Sequence, residues 1–506
     1  MWMRIRLADL RVMSHYVGLF VAGIGFVMLI PLGTAVVFGE WDVALDFLVG
    51  VGVAFTVGGA LALTYSHNER VTHANALVLT ALGWLAAAAA AAIPFALSPN
   101  YPTFIDAMFD TVSGLTTSGL TVAVDLDHMS YAMNMWRHLT HLIGGQGIIV
   151  AALSLSIGLR GGAFSLYVAE GRDERILPNV LHTARFIWFV TAVYVTLGTA
   201  TLSIANIWRG MDVARGLLHA FWLSIAAYDT GGFAPQSMNA MYYHSFLLEI
   251  LTLFLMIAGT MNFNLHAQVW RGDTRELWKN LEVRVLAINA LVLSAIVAVG
   301  LAATSLFGDA VPALRKGVFH IVSAHTGTGH QTIYAAQWIR DLGGTSFAAV
   351  LLAMAAGGAV SSTAGGIKAL RLGVIIKAVM LQIKQSIAPR TAVINSTYHH
   401  LKERLLTPEI AGAAATVFVL YLVTYVTGGL VGAAYGYGAA ESFFESISAA
   451  ANVGLSTGIT NATMPLGLKI CYMLEMWAGR LEFVAVFALV AQIVIALRAP
   501  RRRIVS

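Results

Sequence analysis

Thr116-Thr117-Ser118-Gly119-Leu120, Asp229-Thr230-Gly231-Gly232-Phe233, Thr326-Gly327-Thr328-Gly329-His330 and Asn452-Val453-Gly454-Leu455 stand at equivalent places in a unit that occurs four times. In each unit an apolar span leads to a short amphipathic segment, the glycine-containing stretch follows, and a second apolar span completes the unit. Four helix, re-entrant loop and helix units in one polypeptide can surround a single axis and line an ion pore. A single Ser/Thr/Gly cluster between spans reads as an ordinary loop. Four at matching positions read differently, because exposed backbone at membrane depth is tolerated only inside protein or beside water.

With 58% hydrophobic and 11% charged residues, the chain has more apolar surface than a water-soluble globule of 506 residues can bury. This composition predicts an all-α polytopic membrane protein. The net charge of +5 comes from basic residues in short loops between spans, which argues against nucleic acid as a partner. Cys471, the lone cysteine, can form no intrachain disulfide. Ten spans are expected, near 16–38, 43–66, 75–97, 136–159, 185–207, 241–268, 283–306, 346–376, 409–435 and 467–497. They divide into two N-terminal helices (1–70) and four pore units (71–160, 161–270, 271–405 and 406–506). Arg4, Arg6 and Arg11 precede a retained first helix rather than a cleaved signal, since no small-residue cleavage site closes it.

Lys and Arg concentrate in loops on one side: Arg4, Arg6, Arg11, Arg70, Arg160, Arg172, Arg175, Arg271, Arg275, Lys279, Lys377, Lys384, Arg390, Lys402, Arg404, Arg498 and Arg501 to Arg503. That side is expected to be the cytoplasm, with both termini on it and all four re-entrant segments entering from the other side. The segments 106–115, 216–225, 317–324 and 441–450 are too short to span a bilayer. Each aims a negative helix C-terminus at the membrane interior, where a cation is stabilised. The strand that follows must turn carbonyl oxygens to the axis, in backbone angles glycine adopts most easily. The filter set is Thr117, Ser118 and Gly119; Thr230, Gly231 and Gly232; Thr328 and Gly329; and Asn452, Val453 and Gly454.

A second constellation lies in the eighth span, where Gly357, Gly358, Ser361, Ser362, Thr363, Gly365 and Gly366 crowd ahead of Lys368. Each glycine costs about 1 kcal/mol against Ala in a helix, so the span is expected to break there. A small-residue face for close helix packing is the alternative, and the spacing excludes a nucleotide-binding loop. In the last span Arg480 and Glu482 are intramembrane charges, read either as functional groups or as a pair that packs the helix.

At these residues the chain resembles the TrkH/KtrB potassium transporters, related to the Trk and HKT proteins of fungi and plants. The resemblance rests on 112–119 (Val-Ser-Gly-Leu-Thr-Thr-Ser-Gly), the run 141–150, His219-Ala-Phe-Trp-Leu-Ser224, 362–368 with Arg371, and Gly479-Arg-Leu-Glu482. The two extra N-terminal spans favour the TrkH-like form. The resemblance implies potassium ion as cargo with no organic cofactor, a homodimer in lipid with one pore per subunit, and a gate at 357–366 with Arg480 near it. It also implies a cytosolic nucleotide-binding regulatory ring of the TrkA type and a bacterial inner-membrane location. The second loop departs from the family pattern, with Asp229-Thr230-Gly231 where an Asn-Ala pair often precedes the glycine, and the third carries His325 and His330 beside its filter.

Three other readings stand beside this one. The first is a sodium- or proton-coupled transporter of the same superfamily with relaxed potassium selectivity. The second, an inverted-repeat secondary transporter, would show paired broken spans in matching halves. The third is a membrane enzyme using His320, His325 and His330 or Asp106 and Asp110. It lacks a completing carboxylate shell, and five-residue spacing points the imidazoles to different helix faces.

Overall fold

The computed structural model describes residues 7–64, 72–147, 180–302, 310–334, 337, 343–389 and 391–497. Several positions used to orient the chain lie outside the described residues: Arg4, Arg6, Arg70, Arg160, Arg172, Arg175, Arg390, Arg498 and Arg501 to Arg503. The part of the fourth span beyond 147 lies outside them too.

The protein is a polytopic all-α membrane protein. Among the described residues, six helices are long and apolar enough to cross a bilayer: Asp9–Phe38, Trp41–Ala62, Asn75–Leu97, Leu181–Trp208, Leu281–Ala302 and Pro408–Ala434. Their outward faces carry exposed large side chains such as Phe26, Leu291 and Val299, which only hydrocarbon can cover at low free energy. Among the described residues the sheet content is one small hairpin, Thr397–His399 with Glu403–Leu405, paired antiparallel with Tyr398 opposite Arg404.

Four short inner helices, Phe104–Leu115, Val213–Tyr228, Ala310–His325 and Ala439–Ala450, stand at the centre. Thr103 starts the first with a capping box shared with Asp106. Asp212 starts the second, its carboxylate accepting from the amides of Ala214 and Arg215. Each inner helix is followed by an outer partner: Tyr131–Gln146, Phe246–Thr260, Gly343–Ala356 and Leu466–Arg480. Every partner packs both on its own inner helix and on the next one, and the fourth packs back on the first, so the packing closes into a ring. Across that closure Lys469 Nζ donates to Asp106 Oδ1 at 2.5 Å, an ion pair buried between the first and fourth units.

Three of the expected spans are not continuous helices. The eighth breaks between Ala356 and Ala369, where the glycines place it. The sixth, read as unbroken over 241–268, bends by 102° between Phe246–Thr260 and Phe263–Trp270. The backbone groups freed there are taken up by the eighth span's broken segment, since Phe263 N donates to Ser361 O and Ala359 N donates to Thr260 O, both at 3.1 Å. The tenth, read as unbroken over 467–497, bends by 115° between Leu466–Arg480 and Val484–Leu497. Glu482 and Phe483 take left-handed φ of 50° and 67°, and the amides of Glu482 and Phe483 bond back to Gly479 O and Ala478 O. That is a Schellman stop built without glycine.

A candidate ion pathway

After each inner helix the chain turns through the same backbone conformation. Thr117, Thr230, Gly327 and Asn452 have φ of 54°, 51°, 73° and 55°, and two residues on, Gly119, Gly232, Gly329 and Gly454 have φ of 80°, 73°, 80° and 91°. The residue between them donates its amide back to the helix in every loop: Ser118 to Ser113 O and Gly231 to Ala226 O at 2.8 Å, Thr328 to Ser323 O and Val453 to Ser448 O at 2.9 Å. Alternation of left-handed and ordinary residues holds each strand extended while turning it away from its helix.

The four strands interlock. A Cβ on Gly119 would overlap the carbonyl oxygen of Gly231, one on Gly232 that of Thr328, one on Gly329 that of Val453, and one on Gly454 that of Ser118. The carbonyls of Ser118, Gly231, Thr328 and Val453 therefore form one closed circuit, each seated against the next loop's glycine. The hydroxyls of Ser118 and Thr328 bond those of Thr116 and Thr326 at 2.8 Å, and Asn452 Nδ2 donates to Ser118 Oγ at 2.8 Å and to Met476 O at 2.9 Å. Side chains thus serve the scaffold and backbone forms the circuit. On one side of it lies a vestibule of about 110 Å³, lined by the four glycines with Arg137 and Ser456 among others.

On the other side sits the broken segment of the eighth span. Its neck is pinched by Gly358 N to Gly365 O at 3.3 Å, Ile367 N to Ala355 O at 3.3 Å and Lys368 N to Ala356 O at 3.0 Å. Gly357 and Gly366 have φ of 69° and 80°, and a Cβ on either would overlap backbone of the opposite limb or come within 2.6 Å of it. At the tip, Thr363 Oγ1 reaches Gly259 O at 2.9 Å, Thr230 Oγ1 at 3.0 Å and Tyr228 O at 3.1 Å. Gly365 lies against Ala451 O and the Asn452 side chain, and Gly327 faces Ala364 and Gly365. Arg480 donates to Thr363 O and Gly144 O at 2.5 Å, Thr117 Oγ1 at 3.2 Å and Gly145 O at 3.3 Å. Residues 363–365 and Arg480 together touch all four loops at their first left-handed residue.

Arg480 and Glu482, two residues apart in sequence, diverge at the Schellman stop. Glu482 pairs with Arg371 and lies 3.8 Å from Lys368 Nζ, and Lys368 also donates to Ala364 O at 2.9 Å. Ser362 Oγ bonds Ala359 O at 2.7 Å within the segment, and Ser361 has φ 49°. Asp229 is buried and accepts from Gln146 Nε2 at 2.7 Å. His330 Nδ1 meets Asn239 Oδ1 at 2.8 Å, His320 Nδ1 lies 3.2 Å from Lys316 O, and His325 borders an apolar cavity between Ile257 and Leu286. Each histidine therefore has its own surroundings.

The structure thus gathers the sequence-assigned residues into one column of circuit and segment. Gly327 belongs to the same register and is missing from the assigned set, although the Gly327-Thr328-Gly329 spacing marks it. Arg137, Asp110, Glu445 and Asn239, which support the strands from behind, are also missing from it.

Comparison with known proteins agrees with this architecture. Residues 46–495 match the family model TrkH, described as cation transport protein. An uncharacterized cation transporter of Methanocaldococcus jannaschii is 29% identical over 494 residues, covering 96% of this chain and 97% of that protein. The Trk system potassium uptake protein TrkH of Salmonella typhimurium is 29% identical over 482 residues, covering 91% of this chain and 95% of that one. The crystal structure of the potassium transporter TrkH from Vibrio parahaemolyticus superposes with a TM-score of 0.81 at 22% identity, over 96% of this chain and 98% of that one, and so shares its fold. With its family match running through all four inner helices, the chain belongs to the TrkH family of cation transport proteins.

Proposed function

We propose that this protein takes potassium ions up across the bacterial inner membrane, through the axis enclosed by the four loops. The observation that carries the reading is the closed circuit of Ser118, Gly231, Thr328 and Val453 carbonyls, each locked against a neighbouring glycine. Fixed carbonyl oxygens replace a cation's hydration shell, and four inner-helix C-termini directed at the centre add negative potential there. The filter is Thr117 to Gly119, Thr230 to Gly232, Gly327 to Gly329 and Asn452 to Gly454. Residues 357–366 with Lys368 form the gate, and Arg480 holds it closed. The printed names of the Salmonella and Vibrio proteins, which specify potassium, support the choice of ion.

The same reading divides the chain into two leading helices and four pore units, with both termini in the cytoplasm. It includes a homodimer in lipid and a cytosolic nucleotide-binding ring acting on the gate. The test is purified protein in liposomes, with potassium, rubidium, sodium and lithium fluxes measured with and without an applied voltage. Potassium and rubidium fluxes well above sodium and lithium, driven by voltage alone, are the expected result. Equal fluxes for all four ions would refute the filter, and flux that demands a sodium or proton gradient would replace passive conduction by coupled transport.

A further inference from the structure

Asp110 and Glu445 occupy the same position on the first and fourth inner helices, counted back from Gly119 and Gly454. Both are buried, and both turn their carboxyl groups to the strand that leaves the filter on the vestibule side. Asp110 Oδ1 accepts the amide of Val122 at 2.7 Å, and Oδ2 accepts the hydroxyls of Thr121 at 2.7 Å and Tyr101 at 2.9 Å. Glu445 Oε1 accepts Ser456 Oγ at 2.5 Å, the Thr457 amide at 2.8 Å and Thr457 Oγ1 at 3.1 Å, and its Oε2 accepts Thr460 Oγ1 at 2.8 Å. The register is identical. Thr121 and Val122 are the second and third residues after Gly119, and Ser456 and Thr457 are the second and third after Gly454.

The second inner helix has Leu223 at this position, and its loop is held from outside instead. Arg137 Nε lies 3.7 Å from Asp110 Oδ2, Arg137 Nη1 donates to Ala234 O at 3.2 Å, and its guanidinium sits 4.1 Å from the centre of the Phe233 ring. Asn239 then ties the second loop to the third, donating to Gly232 O at 3.0 Å while its Oδ1 meets His330 Nδ1. The exit strands are thus braced at two carboxyl anchors, and the bracing passes through Arg137 and Asn239 to the loops between.

We propose that Asp110 and Glu445 are positioning residues that set ion selectivity by fixing the width of the carbonyl circuit from the vestibule side. This deepens the reading of the four loops as a filter and rests on it. Backbone carbonyls discriminate between cations of different radius only while the strands resist moving in or out, and multiple hydrogen bonds accepted by one buried carboxyl group supply that resistance. Neither residue contacts the ion path; they act through Thr121 and Val122, and through Ser456 and Thr457.

Glu445 is the cleaner test, because replacing Asp110 also strips Arg137 of its partner. Potassium-to-sodium flux ratios in liposomes are compared for the parent, Glu445→Ala, Glu445→Gln and Leu223→Ala, each first checked for monodispersity. Loss of the charge-assisted hydrogen bonds in Glu445→Ala is expected to lower the ratio about tenfold. Glu445→Gln keeps an oxygen for the Thr457 amide and should stay within about twofold of the parent. Leu223→Ala empties the same helix position without a hydrogen-bonded strand, and should reduce folded yield while keeping the ratio. If Glu445→Ala does not fold, Ser456→Ala with Thr460→Val removes donors from the strand side and should lower the ratio instead. A parent ratio in Glu445→Ala or in the double variant, a Gln variant as poor as the Ala variant, or an equal fall in Leu223→Ala would overturn the proposal. A parent protein that does not discriminate at all would overturn the filter reading itself, which is a separate result.

Discussion

Replacement of Gly232 by alanine probes the circuit at one of its two tightest points. Gly232 has φ 73°, and a Cβ there would overlap the carbonyl oxygen of Thr328 in the next loop. A left-handed conformation costs a non-glycine residue about 1–2 kcal/mol. The overlap adds about 1–3 kcal/mol, because the atom met is backbone of a strand tied to its own helix and not the end of a flexible side chain. The sum, about 2–5 kcal/mol, exceeds what a local rotamer change can relieve. Either the protein loses that stability or the second and third loops move apart and the carbonyl circuit opens. Gly52 on the Trp41–Ala62 helix is the control, since nothing lies within 4 Å of its added Cβ. Gly52→Ala should be neutral or stabilising by about 0.5–1 kcal/mol. The assay pairs thermal unfolding in detergent with potassium-to-sodium flux ratios in liposomes. Gly232→Ala with the parent's unfolding temperature and the parent's ratio would refute the interlocked circuit.

Deleting Val360 to Ala364 removes the tip of the segment but leaves the pinch between Gly358 and Gly365, so flux should rise at unchanged selectivity; flux no greater than the parent's in folded protein returns the segment to a packing role. Arg480→Gln should raise flux by releasing Thr363 O, and Arg480→Lys should fall between it and the parent, having the charge without the planar fork that serves Thr363, Gly144 and Thr117 together. Unchanged flux per folded molecule in both would remove Arg480 from gating. Lys469→Met strands the Asp106 carboxyl group and should cost about 3–5 kcal/mol in thermal stability, most of it recovered when Asp106→Asn is added. A double variant no more stable than Lys469→Met would show that this pair does not close the ring.

Much of the fold was legible because its signals are local. Apolar runs mark the spans, and the glycines of 357–366 mark a break because they disfavour helix wherever they sit. The bends at 261–262 and 481–483 were not legible, because the sequence there is Met-Asn and Leu-Glu-Phe, with neither proline nor glycine. The first is maintained by amides and carbonyls of residues about a hundred positions away, Ser361 and Ala359, which no window of sequence contains. The second needs two left-handed residues of kinds that seldom adopt that conformation, and it is supported by the pairing of Glu482 with Arg371. The repeat marked Gly119, Gly232, Gly329 and Gly454, which share one left-handed conformation, but the residues behind them could not be read. Asp110 resembled half of a metal pair with Asp106 on sequence alone. In the folded chain the two diverge, one to Lys469 and one to the exit strand.

The four loops differ in sequence yet share one backbone, and the reason bears on how the proposed selection and gating are separated. The turn needs a left-handed residue just after the helix, and only the third loop supplies glycine there; Thr117, Thr230 and Asn452 occupy the other three. Each of these carries a strain of about 1 kcal/mol or more. Each also has a side chain held by another unit: Thr117 by Arg480, Thr230 by Thr363, and Asn452 by Ser118, with a further bond to Met476 of its own unit. Two of the three strained residues are therefore stabilised by the broken segment or by Arg480. The carbonyl circuit lies one residue further along, at Ser118, Gly231, Thr328 and Val453, and is braced from the opposite side by Asp110 and Glu445. On the proposed reading, motion of the segment together with Arg480 releases the layer at Thr117 and Thr230 and leaves the hydrogen bonds of Asp110 and Glu445 to the exit strands in place. On that reading conduction is switched at one level while discrimination is maintained at the next, so loss of the tip should alter flux and loss of the brace should alter the ratio.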